Sequence, residues 1–130
     1  MDSNSQKNTN NTNEDKIASL VKSINENPDM AHLDYTPAVF ELITFEKEAI
    51  AAVLPLLNST DKMERYRAQC VVEGVIQRNF GWKAGQGFPI NSKGEELMRE
   101  FWKANGNYNA AAVEKDRLAA IEKWEVWLTE

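Results

Sequence analysis

The chain has 130 residues, of which 42% are hydrophobic and 27% are charged, a balance typical of a soluble globular domain. Acidic residues outnumber basic ones by 20 to 15, and the resulting net charge of −5 argues against a nucleic-acid-binding protein with a broad basic face. No stretch approaches the roughly 20 consecutive apolar residues that span a bilayer. The N-terminus also lacks the apolar segment of a secretory signal, so we expect a cytoplasmic protein without membrane contact.

The residues that carry most metal and acid–base chemistry are scarce. The sequence contains one cysteine, Cys70, and one histidine, His32. A single cysteine cannot form an internal disulfide, and one histidine with one cysteine make a poor zinc site. We therefore expect no cofactor, no metal and no catalytic residue. Cys70 is predicted to be a packing thiol among valines, and His32 a loop or cap residue.

The first fifteen residues differ in composition from the rest. They hold five asparagines, two threonines and two serines, and Met1 is their one apolar side chain. Such a segment buries too little surface to offset the entropy of ordering it. The sequence therefore predicts a disordered polar leader over residues 1–15 and a single helical domain over residues 16–130.

Hydrophobic spacing predicts two helices in the first third of that domain. Apolar residues repeat at i, i+3, i+4 and i+7 in Ile17, Leu20, Val21 and Ile24. This first helix should end near the Asn27-Pro28 pair, because proline disfavours the helical conformation in the residue before it. Thr36 and Pro37 then fit the N-cap and first position of a short helix through Ile43 or Thr44. We expect the short helix to offer Val39, Phe40 and Ile43 to the core.

The middle of the chain predicts a helical hairpin. Apolar spacing predicts a helix over residues 46–57, in which Pro55 bends the last turn because it removes a backbone hydrogen bond. A short polar turn leads to a helix over residues 62–79 that is apolar on most sides, as is typical of a central helix. Gly74 should let a neighbouring helix approach this one closely. Its three arginines are expected to form ion pairs with Asp61 or Glu73, because a buried arginine needs a partner; they are Arg65, Arg67 and Arg78.

Two more helices complete the prediction. After the break at residues 80–91, Ser92 and Glu95 fit a capping box, and Asn105-Gly106 fits a helix stop. The expected apolar faces are Leu97, Met98, Phe101 and Trp102 in one helix, and Ala120, Ile121, Trp124, Trp127 and Leu128 in the other. Because no segment alternates like a strand, we predict an all-α fold, a compact bundle of five to six helices.

Residues 49–74 resemble one HEAT-type repeat, which is a pair of antiparallel helices of roughly forty residues. The matching residues are Leu54-Pro55-Leu56-Leu57 in the bent first helix and Asp61, Arg65 and Ala68 at the start of the second. In that family the aspartate and arginine form a structural ladder between repeats. Residues 119–128, AAIEKWEVWL, are also similar to the closing segment of some small bacterial helical-repeat proteins. The resemblance implies a bundle around a HEAT-like antiparallel hairpin that binds other proteins.

The glycine-rich loop at residues 81–88 is the first candidate site. Trp82, Lys83, Gln86 and Phe88 could contact a partner protein, or the loop could be a connector whose aromatic residues cap the helical core. Its three glycines could alternatively cradle a phosphate or carboxylate, although the pattern is not a P-loop. That alternative describes a small ligand-binding protein or enzyme, with Arg78 and Lys83 in the site.

An acidic edge at Glu41, Glu46 and Glu48 is the second candidate, because a negative face can dock a basic protein. Trp127 is a third, since an exposed tryptophan is a common interface anchor. Together these features favour a non-catalytic protein–protein interaction module of a bacterial cytoplasm. Immunity-type or inhibitory proteins that bind a basic partner belong to this class. The sequence leaves the oligomeric state open.

Overall fold

A computed structural model of the protein describes residues 13–130, which form helices joined by turns. Helix α1 covers residues 13–22, and the other α-helices are α2 (Pro37–Ile43), α3 (Lys47–Val53), α4 (Lys62–Asn79), α5 (Gly94–Ala104) and α6 (Glu114–Leu128). A 3-10 helix, Leu54–Asn58, directly continues α3. These residues contain no strand, only an isolated bridge between Lys83 and Gly87. The prediction of an all-α bundle is confirmed.

The predicted leader falls at the edge of the described chain. Residues 1–12 lie outside the described residues, whereas residues 13–15 already belong to α1. Helix α1 ends at residue 22, a little before the predicted stop, and Ile24 is nevertheless buried in the turn that follows. None of the helices described is long and apolar enough to cross a membrane.

Helix α4 lies at the centre of the bundle, as its composition predicts. It packs against α2, α3, the 3-10 helix and α5. Its buried residues fall on most sides of the helix and are Arg65, Arg67, Ala68, Cys70, Val71, Val72, Gly74, Val75 and Ile76. The Asp61 carboxylate caps the N-terminus of α4 by accepting the Met63 N–H at 3.0 Å. Helix α6 packs against α3 and the 3-10 helix.

Three sequence signals for helix ends are confirmed. Thr36 caps α2 by accepting the Val39 N–H at 3.2 Å. The α-helical part of the third helix stops at Val53, and the chain tightens into the 3-10 helix around Pro55, which has no N–H to donate. Gly106 follows α5 with φ of +103°, and the N–H groups of Gly106 and Asn107 close the Schellman pattern on Lys103 and Trp102.

The predicted start of α5 is wrong in detail. The helix begins at Gly94, and its N-cap residue, Lys93, makes no side-chain cap. Ser92 Oγ accepts the Gly94 N–H instead, and Glu95 pairs with Arg99 one turn along the helix. Leu97 is 47% exposed, so it does not join the apolar face of Met98, Phe101 and Trp102, which are half-buried.

The prediction that the buried arginines form ion pairs is also wrong. Arg65 donates from Nε to the Ala110 carbonyl at 2.9 Å and from Nη1 to the Ser59 carbonyl at 2.8 Å. Arg67 binds the Leu33 carbonyl and the Asn25 side-chain oxygen. Backbone carbonyls of turns replace carboxylates because a guanidinium has five donors in a fork that can bridge two chain segments. The arginines therefore tie turns to the central helix.

Candidate functional site

An open groove of about 260 Å³ lies where the turn at residues 29–35, helix α2 and the C-terminal end of α4 meet. We call it the aromatic groove because four of its lining residues carry rings: His32, Tyr35, Phe40 and Trp82. The other lining residues are Asp29, Ile43, Gly74, Gln77 and Arg78. The aromatic groove thus combines apolar walls with one carboxylate and one guanidinium.

Tyr35 and Phe40 form a stacked pair in the aromatic groove. Their ring centroids are 5.1 Å apart and their planes differ by 20°, and the His32 ring meets Tyr35 edge-on at 6.4 Å. Phe40 is 54% exposed, so the prediction that it belongs to the core is wrong. The reason is the spacing in α2, whose buried residues are Ala38, Val39, Leu42 and Ile43. That face points to α4 and leaves position 40 on the other side of the helix.

The turn at residues 29–35 is fixed to the bundle at both its end and its middle. The Asp29 N–H donates to the Tyr35 carbonyl at 2.9 Å, which closes the turn. The Thr36 hydroxyl donates to the Ile24 carbonyl at 2.8 Å. The buried Arg67 guanidinium donates twice to the Leu33 carbonyl, from Nε at 3.1 Å and from Nη2 at 2.9 Å. This side of the aromatic groove is therefore held in place by hydrogen bonds to the core.

Trp82 and Arg78 come from the C-terminal end of α4 and the turn after it. The Trp82 N–H donates to the Gln77 carbonyl at 3.0 Å, and Gly81, with φ of +101°, makes the tight turn that brings the indole back over the helix. The Arg78 guanidinium lies 4.7 Å from the centre of the Trp82 ring, a cation–π contact. Its Nη1 donates to the Gly74 carbonyl at 2.8 Å, which further fixes the side chain.

The glycine-rich loop itself closes on its own backbone. The Lys83 N–H donates to the Gly87 carbonyl at 3.0 Å, and the N–H groups of Gln86 and Gly87 both donate to the Lys83 carbonyl. Three of the N–H groups that could cradle an anion are therefore already bonded within the loop. The side chains of Lys83 and Gln86 are exposed at its tip.

Phe88 has a structural position at the end of the loop. The half-buried ring packs against Gly94 at the start of α5, where an added Cβ would come within 3.0 Å of Phe88 Cδ1. The neighbouring Phe80 ring contacts Phe101 of α5 at 5.6 Å. Of the four loop residues singled out by the sequence, only Trp82 lines the aromatic groove.

The three acidic candidates are all exposed but do not form one cluster around the aromatic groove. Glu41 follows Phe40 in α2, and Glu46 is the N-cap residue of α3 with φ of +56°. Glu48 lines a larger groove of about 900 Å³ between α1 and α3, together with small apolar residues such as Ala18 and Ala51. The acidic edge therefore extends along α2 and α3.

Trp127 belongs to an aromatic cluster at the end of α6. Its ring packs edge-on against Phe101 at 5.9 Å and against the fully buried Trp124 at 5.3 Å. The Lys47 ammonium lies 5.0 Å from the centre of the Trp127 ring. In the sequence, Lys47 stands between Glu46 and Glu48. Trp127 is half-buried and is joined to the acidic edge through Lys47, whereas Trp82 is on the aromatic groove.

A polar cluster of Cys70, Asp34 and Glu73 lies next to Tyr35. The Cys70 thiol donates to Asp34 Oδ2 at 3.3 Å, and burial raises the pKa of the thiol, which favours the unreactive protonated form. Burial also raises the pKa of Tyr35 to about 12, with smaller contributions from Cys70, Asp34 and Glu73. Burial raises the pKa of the Glu73 carboxyl as well, and Asp34 raises it further.

The sequence did not reveal the aromatic groove, although it pointed to Trp82. The sequence gives no role to Tyr35, predicts that His32 is a loop or cap residue and predicts that Phe40 lies in the core. The apolar spacing in α2 gave no signal that Phe40 is exposed, because Val39, Phe40 and Ile43 also fit one face of this short helix.

In residues 13–130 no three His, Cys, Asp or Glu side chains are grouped to hold a metal ion. No protein-family profile, curated protein or solved structure matches the chain. The structure shows a small all-helical protein with an aromatic groove at its surface.

Proposed function

We propose that the protein is a non-catalytic protein–protein interaction module of a bacterial cytoplasm, and that the aromatic groove is the centre of its contact surface. The observation that carries the proposal is the exposed Phe40 ring, which stacks on Tyr35 at the edge of a groove that Trp82 and Arg78 also line. Covering the exposed surface of a large aromatic side chain with a partner is favourable, because it removes apolar area from water.

The residue types in the aromatic groove support this proposal. Tryptophan, tyrosine and arginine are the residues that most often dominate the binding energy of protein interfaces. Here Trp82, Tyr35 and Arg78 line one small concave surface, and each is held by contacts within the bundle. A site of this kind needs little ordering when it binds, so more of the contact energy remains for affinity.

The charge of the chain favours a basic partner. The net charge is −5, and the exposed Glu41 directly follows Phe40 in α2. Glu46 and Glu48 extend the negative charge along α3. Complementary charges at the rim of an interface accelerate association, and salt reduces this effect by screening the charges. An immunity-type or inhibitory protein that neutralises a basic toxin or enzyme would have these properties.

The alternative is a small ligand-binding protein or enzyme that uses residues 81–88. It has less support because the N–H groups of Lys83, Gln86 and Gly87 are bonded within the loop. A thermal-shift screen against nucleotides, phosphates and divalent metals separates the two functions. A ligand at 100 times its Kd stabilises the fold by about 2.7 kcal/mol, and such a shift would favour the alternative.

The proposal is tested by affinity capture from the source cells with three baits at low and at moderate salt. The baits are the wild-type chain, Phe40→Ala and Leu97→Ala, the last a matched control because Leu97 is also a half-exposed apolar residue on a helix. We expect one stoichiometric, basic protein with the wild type and the control, at reduced yield in higher salt, and little of it with Phe40→Ala. Equal capture by all three baits, or no stoichiometric protein with any of them, would contradict the proposal.

A further inference from the structure

We propose that the aromatic groove receives a single aromatic side chain of the partner, seated against the Arg78 guanidinium and the rings of Phe40 and Trp82. This inference rests on the proposed function and specifies the chemistry of the group that the partner inserts. It follows from three properties of the aromatic groove, which are its size, the charge at its wall and the way its rings are held.

The aromatic groove is smaller than most ligand-binding sites. Its volume of about 260 Å³ lies below the roughly 300–1,000 Å³ that is usual for small-molecule and cofactor sites. A lone aromatic side chain of a partner buries about 150–250 Å² and carries much of the energy of an interface contact. The aromatic groove is therefore better suited to an anchor residue than to a cofactor.

The charge at the wall selects an aromatic anchor over a cationic one. The Arg78 guanidinium lies over the Trp82 ring, 4.7 Å from its centre, and forms no ion pair within residues 13–130, where the pair present joins Arg99 to Glu95. A lysine or arginine entering the aromatic groove would face this guanidinium and be repelled. An aromatic ring has a negative π-face, which the guanidinium attracts, and a planar guanidinium also stacks well on rings.

The aromatic groove has no net charge that would favour a cation. Asp29 also lines the aromatic groove, and its negative charge balances that of Arg78 even though its Oδ1 accepts the Ala31 N–H at 2.8 Å. An uncharged ring also loses less solvation free energy than a charged group when it enters. Glu41 lies in α2 beside Phe40 and is not among the lining residues. A basic partner can therefore place cations near Glu41 while an aromatic residue fills the aromatic groove.

The rings are arranged before a partner binds. The Tyr35 and Phe40 rings stack on each other, and Arg67 holds the turn that carries Tyr35 through two hydrogen bonds to Leu33. The Trp82 backbone is bonded to Gln77 at the end of α4. A side chain that enters therefore meets preformed walls, which reduces the entropy lost on binding.

The inference is tested by NMR titration of the ¹⁵N-labelled full chain with N-acetyl-tryptophanamide, N-acetyl-phenylalaninamide and N-acetyl-lysinamide. We expect both aromatic amides to shift the Trp82 indole N–H and the amides of residues 74–82, with Kd values in the millimolar range, and the lysine amide to shift none of them. Shifts by the lysine amide equal to those of the aromatic amides, or no shift by either aromatic amide up to its solubility limit, would overturn the inference.

Three variants check that the shifts report the aromatic groove. Arg78→Lys keeps the charge but loses the planar guanidinium, and Phe40→Ala removes one ring. Each of these two variants should raise the Kd for N-acetyl-tryptophanamide about three- to tenfold, whereas Leu97→Ala should bind it as the wild type does. Unchanged binding in both groove variants would overturn the inference.

The titration and the capture experiment can each give a negative result without the other, so the two proposals are tested independently. A captured partner that needs Phe40, together with no preference for aromatic amides, would leave the proposed function standing and reject the aromatic anchor. Aromatic amides that bind at residues 74–82 when no partner is captured would reject the proposed function and show instead a groove with affinity for aromatic groups.

Discussion

At the residue scale, Arg67 connects the core of the bundle to the aromatic groove. Its buried guanidinium binds the Leu33 carbonyl through two N–H groups and the Asn25 side chain through a third. Hydrogen bonds from a charged donor contribute about 1.5–3 kcal/mol each. One side chain therefore stabilises the fold and fixes the turn that carries Tyr35.

We expect Arg67→Lys to lower the free energy of unfolding by about 2 kcal/mol, because an ammonium group cannot reproduce the planar fork that binds Leu33. Urea denaturation measures the change. The matched control is Arg99→Lys, whose exposed pair with Glu95 should be worth less than about 0.5 kcal/mol. A similar loss in both variants would show that Arg67 does not hold the turn.

Glu73 carries an ionisable group that weakens the fold when it is charged. Burial raises the pKa of its carboxyl, and the Asp34 carboxylate raises it further, while the Gln69 side-chain N–H donates to it and acts in the opposite direction. Because the folded protein binds this proton more tightly than the unfolded chain does, stability falls as the pH rises from about 4.5 through the folded-state pKa.

We expect Glu73→Gln to melt at a higher temperature than the wild type at pH 7, with the difference shrinking toward pH 4. A glutamine keeps an acceptor for Gln69 and carries no charge to desolvate. Melting curves between pH 4 and pH 8 measure the difference, and Glu122→Gln on the exposed side of α6 is the control. A lower melting temperature for Glu73→Gln at pH 7 would contradict this account of Glu73.

At the element scale, α2 and α4 approach each other closely at Gly74. An added Cβ at this position would overlap Ile43 Cδ1 and come within 2.7 Å of Ile43 Cγ1. Ile43 is buried and lines the floor of the aromatic groove together with Gly74. The missing side chain therefore sets the distance between the two helices and the shape of the aromatic groove.

We expect Gly74→Ala to destabilise the protein by about 1–2 kcal/mol, because the steric cost exceeds the gain of about 1 kcal/mol in helix propensity. Combining it with Ile43→Val, which removes the nearest methyl group, should recover at least about 0.5 kcal/mol in a double-mutant cycle. Chemical denaturation of the four proteins measures the coupling. Additive effects, or a more stable Gly74→Ala, would show that the helices are not in contact there.

Helix ends and the central helix could be predicted from the sequence because local chemistry decides them. Thr36 caps α2, Pro55 ends the α-helical part of the third helix, and Gly106 stops α5, each through bonds within a few residues. The position of Phe40 could not be predicted in the same way. It depends on which side of a seven-residue helix faces α4, and so short a helix has too few apolar repeats to settle this.

At the scale of the whole molecule, α4 organises both the core and the candidate site. Its buried face supports α2, α3 and α5, its arginines bind the surrounding turns, and its C-terminal end supplies Arg78 to the aromatic groove. The aromatic groove joins residues 29–43 to residues 74–82. Because those segments are distant in sequence, the sequence pointed to Trp82 and Arg78 as candidate site residues but not to the rings opposite them.

The most direct test of the proposed function measures the dissociation constant of the purified, captured protein for the wild-type chain, Phe40→Ala and Leu97→Ala. Truncating a hot-spot residue near the centre of an interface costs about 2 kcal/mol or more, which corresponds to about a thirtyfold loss of affinity. We predict a loss of that size for Phe40→Ala and a change below about twofold for Leu97→Ala, with both variants folded. Equal affinities for all three chains would contradict the claim that the aromatic groove is the contact surface.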